Sequence, residues 1–328
     1  MYSQEAQLNL FEDPTYLKKE YENMIHLLPT PHLDRLRAAL KNPRLPKKDA
    51  FEIQEAIKKY HLWVTELNAV EGTCSEEITF QMIELLNVYK HYIDVSLIFD
   101  SQQDFLYRQR EELKIDTTII DDFLPRLIYK TMYSDLVGTQ LEIGPVNHYS
   151  STYYNNIRKV DGDNGELAVK TKSQGFAISR KLYLQSSHNP NFLQAQVIEL
   201  NLAYIIGEFQ SALNKNSLKT ANAMAIEAKT SVMGSKYFLL CEWMDMRQPN
   251  HTNSQIDEVL SLRNARQFSN TVRKQFHSFE GRQKSRDKYI AYLQKHPFKA
   301  DVFLQLIEYI RHAVRLNSTY PLDTSQSM

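Results

Sequence analysis

Residues 197–210 read Val-Ile-Glu-Leu-Asn-Leu-Ala-Tyr-Ile-Ile-Gly-Glu-Phe-Gln, a long, largely apolar run that ends in polar residues. A buried strand has this character where it reaches a functional site. Residues 216–233 are rich in Ala, Met, Lys and Glu, start at a helix cap (Asn216 or Ser217) and stop before Gly234, a residue suited to the position just past a helix. A second strand-length run follows, Lys236-Tyr237-Phe238-Leu239-Leu240-Cys241-Glu242-Trp243. Parallel neighbours need a crossover of a dozen or more residues between them, and a helix is its usual form. The three segments therefore predict a parallel pair of strands with 216–233 as the crossover helix.

From Pro14 to about Val137 the pattern is different. Apolar residues recur at three and four spacing through 51–67 and 77–99, punctuated by Pro29, Pro31, Pro43 and Pro46, which predicts a helical N-terminal region. Near Gly138 this periodicity stops, and Gly, Pro, Asn, Tyr and Ser become frequent. Short strands are expected at 166–170 and 176–184, with a turn through His188-Asn189-Pro190 before the long strand. Near the end, 301–316 reads as a helix packed through Val302, Phe303, Leu306, Ile307 and Ile310, and 317–328 as a loose tail. The order of elements predicts an α+β fold with an α/β core. Two regions follow from it: helices over 1–140, and a core with C-terminal helices over 141–328.

Composition narrows the function. No stretch of the 328 residues approaches the roughly 20 apolar residues of a membrane span, and the start lacks a secretion signal, so a cytoplasmic protein is expected. Cys74 and Cys241 are far apart and outside any CxxC pair, which argues against a disulfide framework or a zinc site. The chain contains no P-loop, GxGxxG, HExxH or GxSxG. His188 and His251 fall in loops and are read as surface or phosphate-contacting groups. With 39 basic and 39 acidic residues there is no global positive field, so any contact with nucleic acid must be local. Residues 263–288 provide one candidate, with eight Lys or Arg against Glu280 and Asp287, interleaved with Phe268, Phe276 and Phe279. Arg263, Arg266, Arg273, Lys274 and Arg282 are its candidate phosphate contacts.

Two acidic motifs compete for one chemical role. On a strand, positions i and i+2 share a face, so Glu-x-Lys can present a carboxylate for a hard cation beside a group that orients water. Glu227-Ala228-Lys229 fits by letter, yet it lies inside the predicted helix, and only about six residues separate it from the next strand, too few for a parallel crossover. Glu208-Phe209-Gln210 closes the long strand. Glu208 and Gln210 are therefore the candidate catalytic pair, and Glu227 and Lys229 are expected to be solvated helix residues.

Placed in this order, several pieces resemble the subunits of the heterodimeric type IIT restriction endonucleases of the BbvCI kind, within the PD-(D/E)xK superfamily. The resemblance rests on Leu86-Asn87-Val88-Tyr89-Lys90 with Ile98-Phe99-Asp100-Ser101, on Ile120-Asp121-Asp122-Phe123-Leu124, on the long strand with its helix, and on Lys236-Tyr237-Phe238-Leu239-Leu240-Cys241-Glu242. Ile256-Asp257-Glu258-Val259-Leu260, Leu262-Arg263 and Arg266 extend it. It implies a restriction-endonuclease-like mixed sheet flanked by helices, double-stranded DNA as substrate, Mg2+ as cofactor and a homologous second subunit. In such enzymes the first acid precedes a Phe on one strand and the next strand carries Glu-x-Lys. Here the first position is Gly175, before Phe176-Ala177-Ile178, and the second motif is Glu208-Phe209-Gln210. Glu208 is then a metal ligand, Gln210 orients water, and Glu199 or Glu166 is the nearest substitute acid. Odd spacing puts Glu199 on the strand face opposite Glu208 unless a bulge intervenes. Two alternatives stay open: a DNA-binding or assembly subunit whose partner cuts, and a helical scaffold with no nucleic-acid role.

Overall fold

The computed structural model describes Ile25 and residues 28–318, apart from 138, 155–166, 188, 194, 248 and 250–253. Glu166, His188, His251 and all but the first two residues of the expected tail lie outside the described residues.

Helix α1 (Pro31–Leu40) begins with a proline in its first turn, where the missing N–H has no helical partner to lose. It packs beside α2 (Lys47–Ala69), which buries Ile53, Ala56, Tyr60, Trp63 and Leu67 along one stripe. Helix α3 (Ser75–His91) runs on into a π-helical segment, Tyr92–Phe99. Two single turns, α4 (Phe105–Arg108) and α5 (Arg110–Leu113), lead to α6 (Ile119–Leu136). Residues on nearly every side of α6 are buried, from Ile119 and Phe123 to Thr131 and Leu136, as expected of a helix enclosed by its neighbours.

The sheet follows. Its strands are β1 (Glu142–Tyr154), β2 (Leu167–Ser186), β3 (Gln196–Leu213), β4 (Lys236–Met244) and β5 (Glu258–Ser261), in that spatial order. The first three are antiparallel neighbours, whereas β3–β4 and β4–β5 are parallel. Between β3 and β4 runs α7 (Lys215–Ser231), started by an Asn214–Ser217 capping box. The remaining helices are α8 (Asn270–Gln275), α9 (Phe279–Lys295) and α10 (Ala300–Ser318).

Alternation along the strands sorts the core into two layers. Phe176, Ile178, Ile205, Phe238 and Leu240 face a large apolar cluster that spans Ile25 to Val314 and includes α6 and α10. Ala177, Ala203, Ile206, Tyr237, Leu239 and Cys241 face α7, whose buried Ala221, Ala225 and Ala228 let it lie close to the sheet. The N-terminal helices and the sheet thus share one core. Among the described residues no helix is long and apolar enough to cross a membrane.

The predicted strand, crossover helix and strand are all present. Strand β1 is not anticipated, because its Gly144-Pro145 pair reads as a break in sequence. At a sheet edge, a proline placed at a bulge costs no ladder hydrogen bond, and the register shifts there between Gly144 and Val146. The described part of the strand expected at 166–170, residues 167–170, and the strand expected at 176–184 belong to the single strand β2.

Candidate active site

The sheet divides at one point. Gly144 pairs with Ala177 and Val146 with Gln174, so Gly175 and Phe176 both stand opposite the single residue Pro145. This is a bulge, and it bends β2. The β2–β3 ladder reaches Phe176–Gly207, after which β3 pairs with β4 and β2 with β1. Gly175 and Glu208 are therefore the first residues past the ladder, one on each side of the split. The Gln174 amide closes its root by donating to the Gly207 carbonyl at 3.2 Å.

Glu208 is half-buried, and both its carboxylate oxygens are engaged: the Gln210 amide donates to Oε1 and the Tyr237 hydroxyl to Oε2. Gln210 follows two residues on along β3, as the shared-face spacing predicts. Burial, the nearby Glu208 charge and this hydrogen bond push the Tyr237 phenol well above its ordinary range, so it remains a donor.

Gly175 has no carboxylate of its own, but a carboxylate occupies the place of its side chain. A Cβ built on Gly175 would lie 2.8 Å from Cγ of Asp121 and closer still to Oδ1. Asp121 sits in the first turn of α6, and burial pushes its carboxyl up to about 6 against the opposing pull of Lys114 and Arg35. It lines a cleft of about 610 Å³ together with Gln210, Phe209, Lys114, Arg110 and Arg273. Sequence reasoning does not single out Asp121, although it belongs to the run Ile120-Asp121-Asp122 that carries part of the resemblance.

The structure does not bring Glu199 to this place. An extra residue at Tyr204 in β3, between Ala203 paired with Ser179 and Ile205 paired with Ile178, does restore Glu199 to the face of Glu208. Separation remains decisive: nine residues at ~3.3 Å each put the two roughly 30 Å apart. Glu199 instead pairs with Lys181 at 3.1 Å. Among the described residues, no group of three or more His, Cys, Asp or Glu is arranged to hold a metal. A Mg2+ ion often uses only one or two carboxylates and completes its shell with water and phosphate oxygens, so hard oxygen donors from Glu208 and the Gly175 cradle fit that ion.

Glu227 and Lys229 lie on α7, as predicted, and their side chains stay partly exposed while pairing with neighbouring segments. Glu227 accepts from Ser150 of β1 and Lys172 of β2, contacts that hold its carboxyl below its ordinary value. Lys229 pairs with Asp257 at 2.8 Å.

The basic candidates separate into two kinds. Arg263 is buried, paired with Glu242 at 2.9 Å and donating to the His296 carbonyl at 2.7 Å. Arg282 is wholly buried and donates to the carbonyls of Phe99, Phe276 and Ser101 at 2.8, 2.9 and 2.8 Å. Their donors are already used inside the protein, which removes both as phosphate contacts. Arg266 and Lys274 are exposed, and Arg273 lines the cleft with its buried Nε lacking a hydrogen-bond partner.

An antiparallel β2–β3 pair that opens beside a parallel β4, reached through a helix and flanked by helical layers, defines a restriction-endonuclease-like protein. The profile of the Bpu10I restriction endonuclease family matches residues 112–324, and the chain belongs to that family. Among solved structures it is similar to a chain of the native BbvCI A2B2 tetramer, with a TM-score of 0.56 and 17% identity over 89% of this chain and 99% of that one. No curated protein matches it significantly.

Proposed function

We propose that this chain is one subunit of a type II restriction endonuclease that binds a short asymmetric site in double-stranded DNA, in the cytoplasm, and hydrolyses one phosphodiester with Mg2+. The observation that carries the reading is Glu208 and Gln210 on one face of β3, at the point where the sheet splits. Family membership supports the chemistry, and the A2B2 assembly of the similar structure supports a homologous second subunit.

In this reading Glu208 holds the cation, kept in place by the Tyr237 hydroxyl, and the Gln210 amide orients the attacking water. The bound ion would supply charge neutralisation at the phosphate and a more acidic water. Arg273 in the cleft, with the exposed Arg266 and Lys274 outside it, neutralises backbone phosphates. A DNA-binding or assembly subunit whose partner cuts is the second reading, and Gly175 in the place of a strand acid favours it. The scaffold reading has no comparable support.

The test uses the complex of this chain with its copurifying subunit on unmethylated DNA. Wild type should cut both strands, while Glu208→Ala should nick one strand only and bind DNA as before. Double-strand cleavage by Glu208→Ala at the wild-type rate would overturn the assignment. A wild-type complex that itself nicks only one strand would favour the second reading.

A further inference from the structure

We infer that Asp121, carried by α6, supplies the cation-binding carboxylate that a strand-borne acid at position 175 would otherwise provide. The inference rests on the reading of Glu208 as a metal ligand, and deepens it. It begins from a coincidence of position. The carboxylate of Asp121 fills the space that a side chain on residue 175 would enter, with Cγ, Oδ1 and Oδ2 all within 3.1 Å of the Cβ site. Glycine at 175 is therefore the residue that leaves this space free, rather than simply an acid lost. The bulge in β2 has a part in this, because two residues opposite Pro145 turn the open side of Gly175 toward α6.

The partners of the two adjacent acids on α6 differ. Asp122 is saturated, accepting from the Tyr60 hydroxyl at 2.7 Å and from the His32 backbone N–H at 3.2 Å. Among the described residues, Asp121 has no hydrogen bond or ion pair, and it lies in the cleft shared by Gln210 and Arg273. A half-buried carboxylate without a donor of its own is free to accept a cation from the cleft. Phe176 and Gly207 close the ladder, so Gly175 and Glu208 stand as the next cross-strand neighbours, whose Cα atoms in a continued ladder would be about 5 Å apart. Gln210, which lines that cleft with Asp121, donates to Glu208, so this amide links the carboxylates carried by α6 and β3 at the split.

This arrangement predicts the behaviour of a swap. In the copurified complex, binding of Mn2+ is followed through the resonance of the free ion, and folding through the melting temperature. Glu208→Ala should weaken the site of this subunit by at least about tenfold. Asp121→Asn, which keeps the shape, should do the same with no loss of melting temperature. Gly175→Asp alone should also weaken binding, because the new side chain collides with Asp121. The double variant Asp121→Ala/Gly175→Asp should recover binding to within about threefold of wild type, since it returns one carboxylate to the vacated space. If Glu208→Ala loses binding while Asp121→Asn keeps it, Asp121 is no ligand, although Glu208 stands. If Glu208→Ala binds Mn2+ as wild type does, the reading beneath fails and this inference fails with it. A Gly175→Asp variant that binds more tightly than wild type would also overturn the inference, since the space would then be open.

Discussion

Arg282 places its guanidinium against three buried carbonyls and within 3.1 Å of Asp104, so its charge holds α9 to the end of the π-helical segment and the turn after it. Arg282→Ala should therefore destabilise the fold by about 3 kcal/mol or more, as measured by denaturant unfolding, because three acceptors lose their donors inside the protein. Arg273→Ala and Lys274→Ala should do the reverse. They should leave unfolding unchanged, weaken DNA binding, and each reduce the slope of log affinity against log salt by about 1. A salt slope unaltered in both variants would remove this face from the DNA contact. All of these residues contribute equally to a count of positive charge along the sequence, and nothing in their spacing distinguishes a guanidinium that caps carbonyls from one that faces solvent. Gly175 shows the same limit from the opposite side. Read along β2 it is a missing acid, and its complement lies on a helix 54 residues earlier, brought near only by tertiary packing.

At the scale of elements, periodicity was enough for the helices and for β3, α7 and β4, because each carries its own pattern and the crossover rule then orders them. It was insufficient for β1, where a proline is tolerated because an edge strand with a bulge has a residue free of the ladder. How α1 is fastened to α6 was equally hidden. His32 is fully buried, with Nε2 2.8 Å from the Tyr89 hydroxyl and Nδ1 3.4 Å from Thr118 Oγ1, and its backbone N–H donates to Asp122. Burial is the main cause that lowers its pKa to about 3, with a hydrogen bond to the Ile115 backbone opposing it and Lys90 adding to the effect. A histidine held neutral in the folded state, but free to protonate near 6.5 when unfolded, contributes stability above pH 6.5 that is lost as pH falls toward 3. The full effect is up to roughly 5 kcal/mol. Asp122, which burial pushes up to about 7, opposes this trend, since its protonation favours the folded state at low pH. Comparison with His32→Gln cancels that contribution. The gap in unfolding free energy between wild type and variant should narrow as pH falls from 7 to 4, and parallel pH curves would show that His32 does not titrate as argued.

Over the whole molecule, the separation between a helical region and a sheet region dissolves in the core. The change of composition near Gly138 marks where helices give way to strands, with α6 ending at Leu136 and β1 starting at Glu142. It marks no gap in packing. Ile119, Ile120, Phe123 and Leu127 of α6 belong to the same apolar cluster as Phe176, Ile178, Ile205 and Phe238 of the sheet and Phe303 and Ile307 of α10. Phe123 and Phe303 meet edge to face at 5.6 Å across that cluster. The family match also begins before α6, at residue 112. Removing residues 1–140 would uncover the part of the inner sheet face that α6 covers and leave α10 without its main partner, and exposing this much apolar surface costs more than the 5–15 kcal/mol by which domains are typically stable. A fragment of residues 141–328 should therefore be aggregated or should lack a cooperative thermal transition. The full chain should melt in a single cooperative transition. A single cooperative transition and protease resistance in the shorter fragment would show that the sheet region folds alone, and that α6, with Asp121 on it, is an addition to the core rather than part of it.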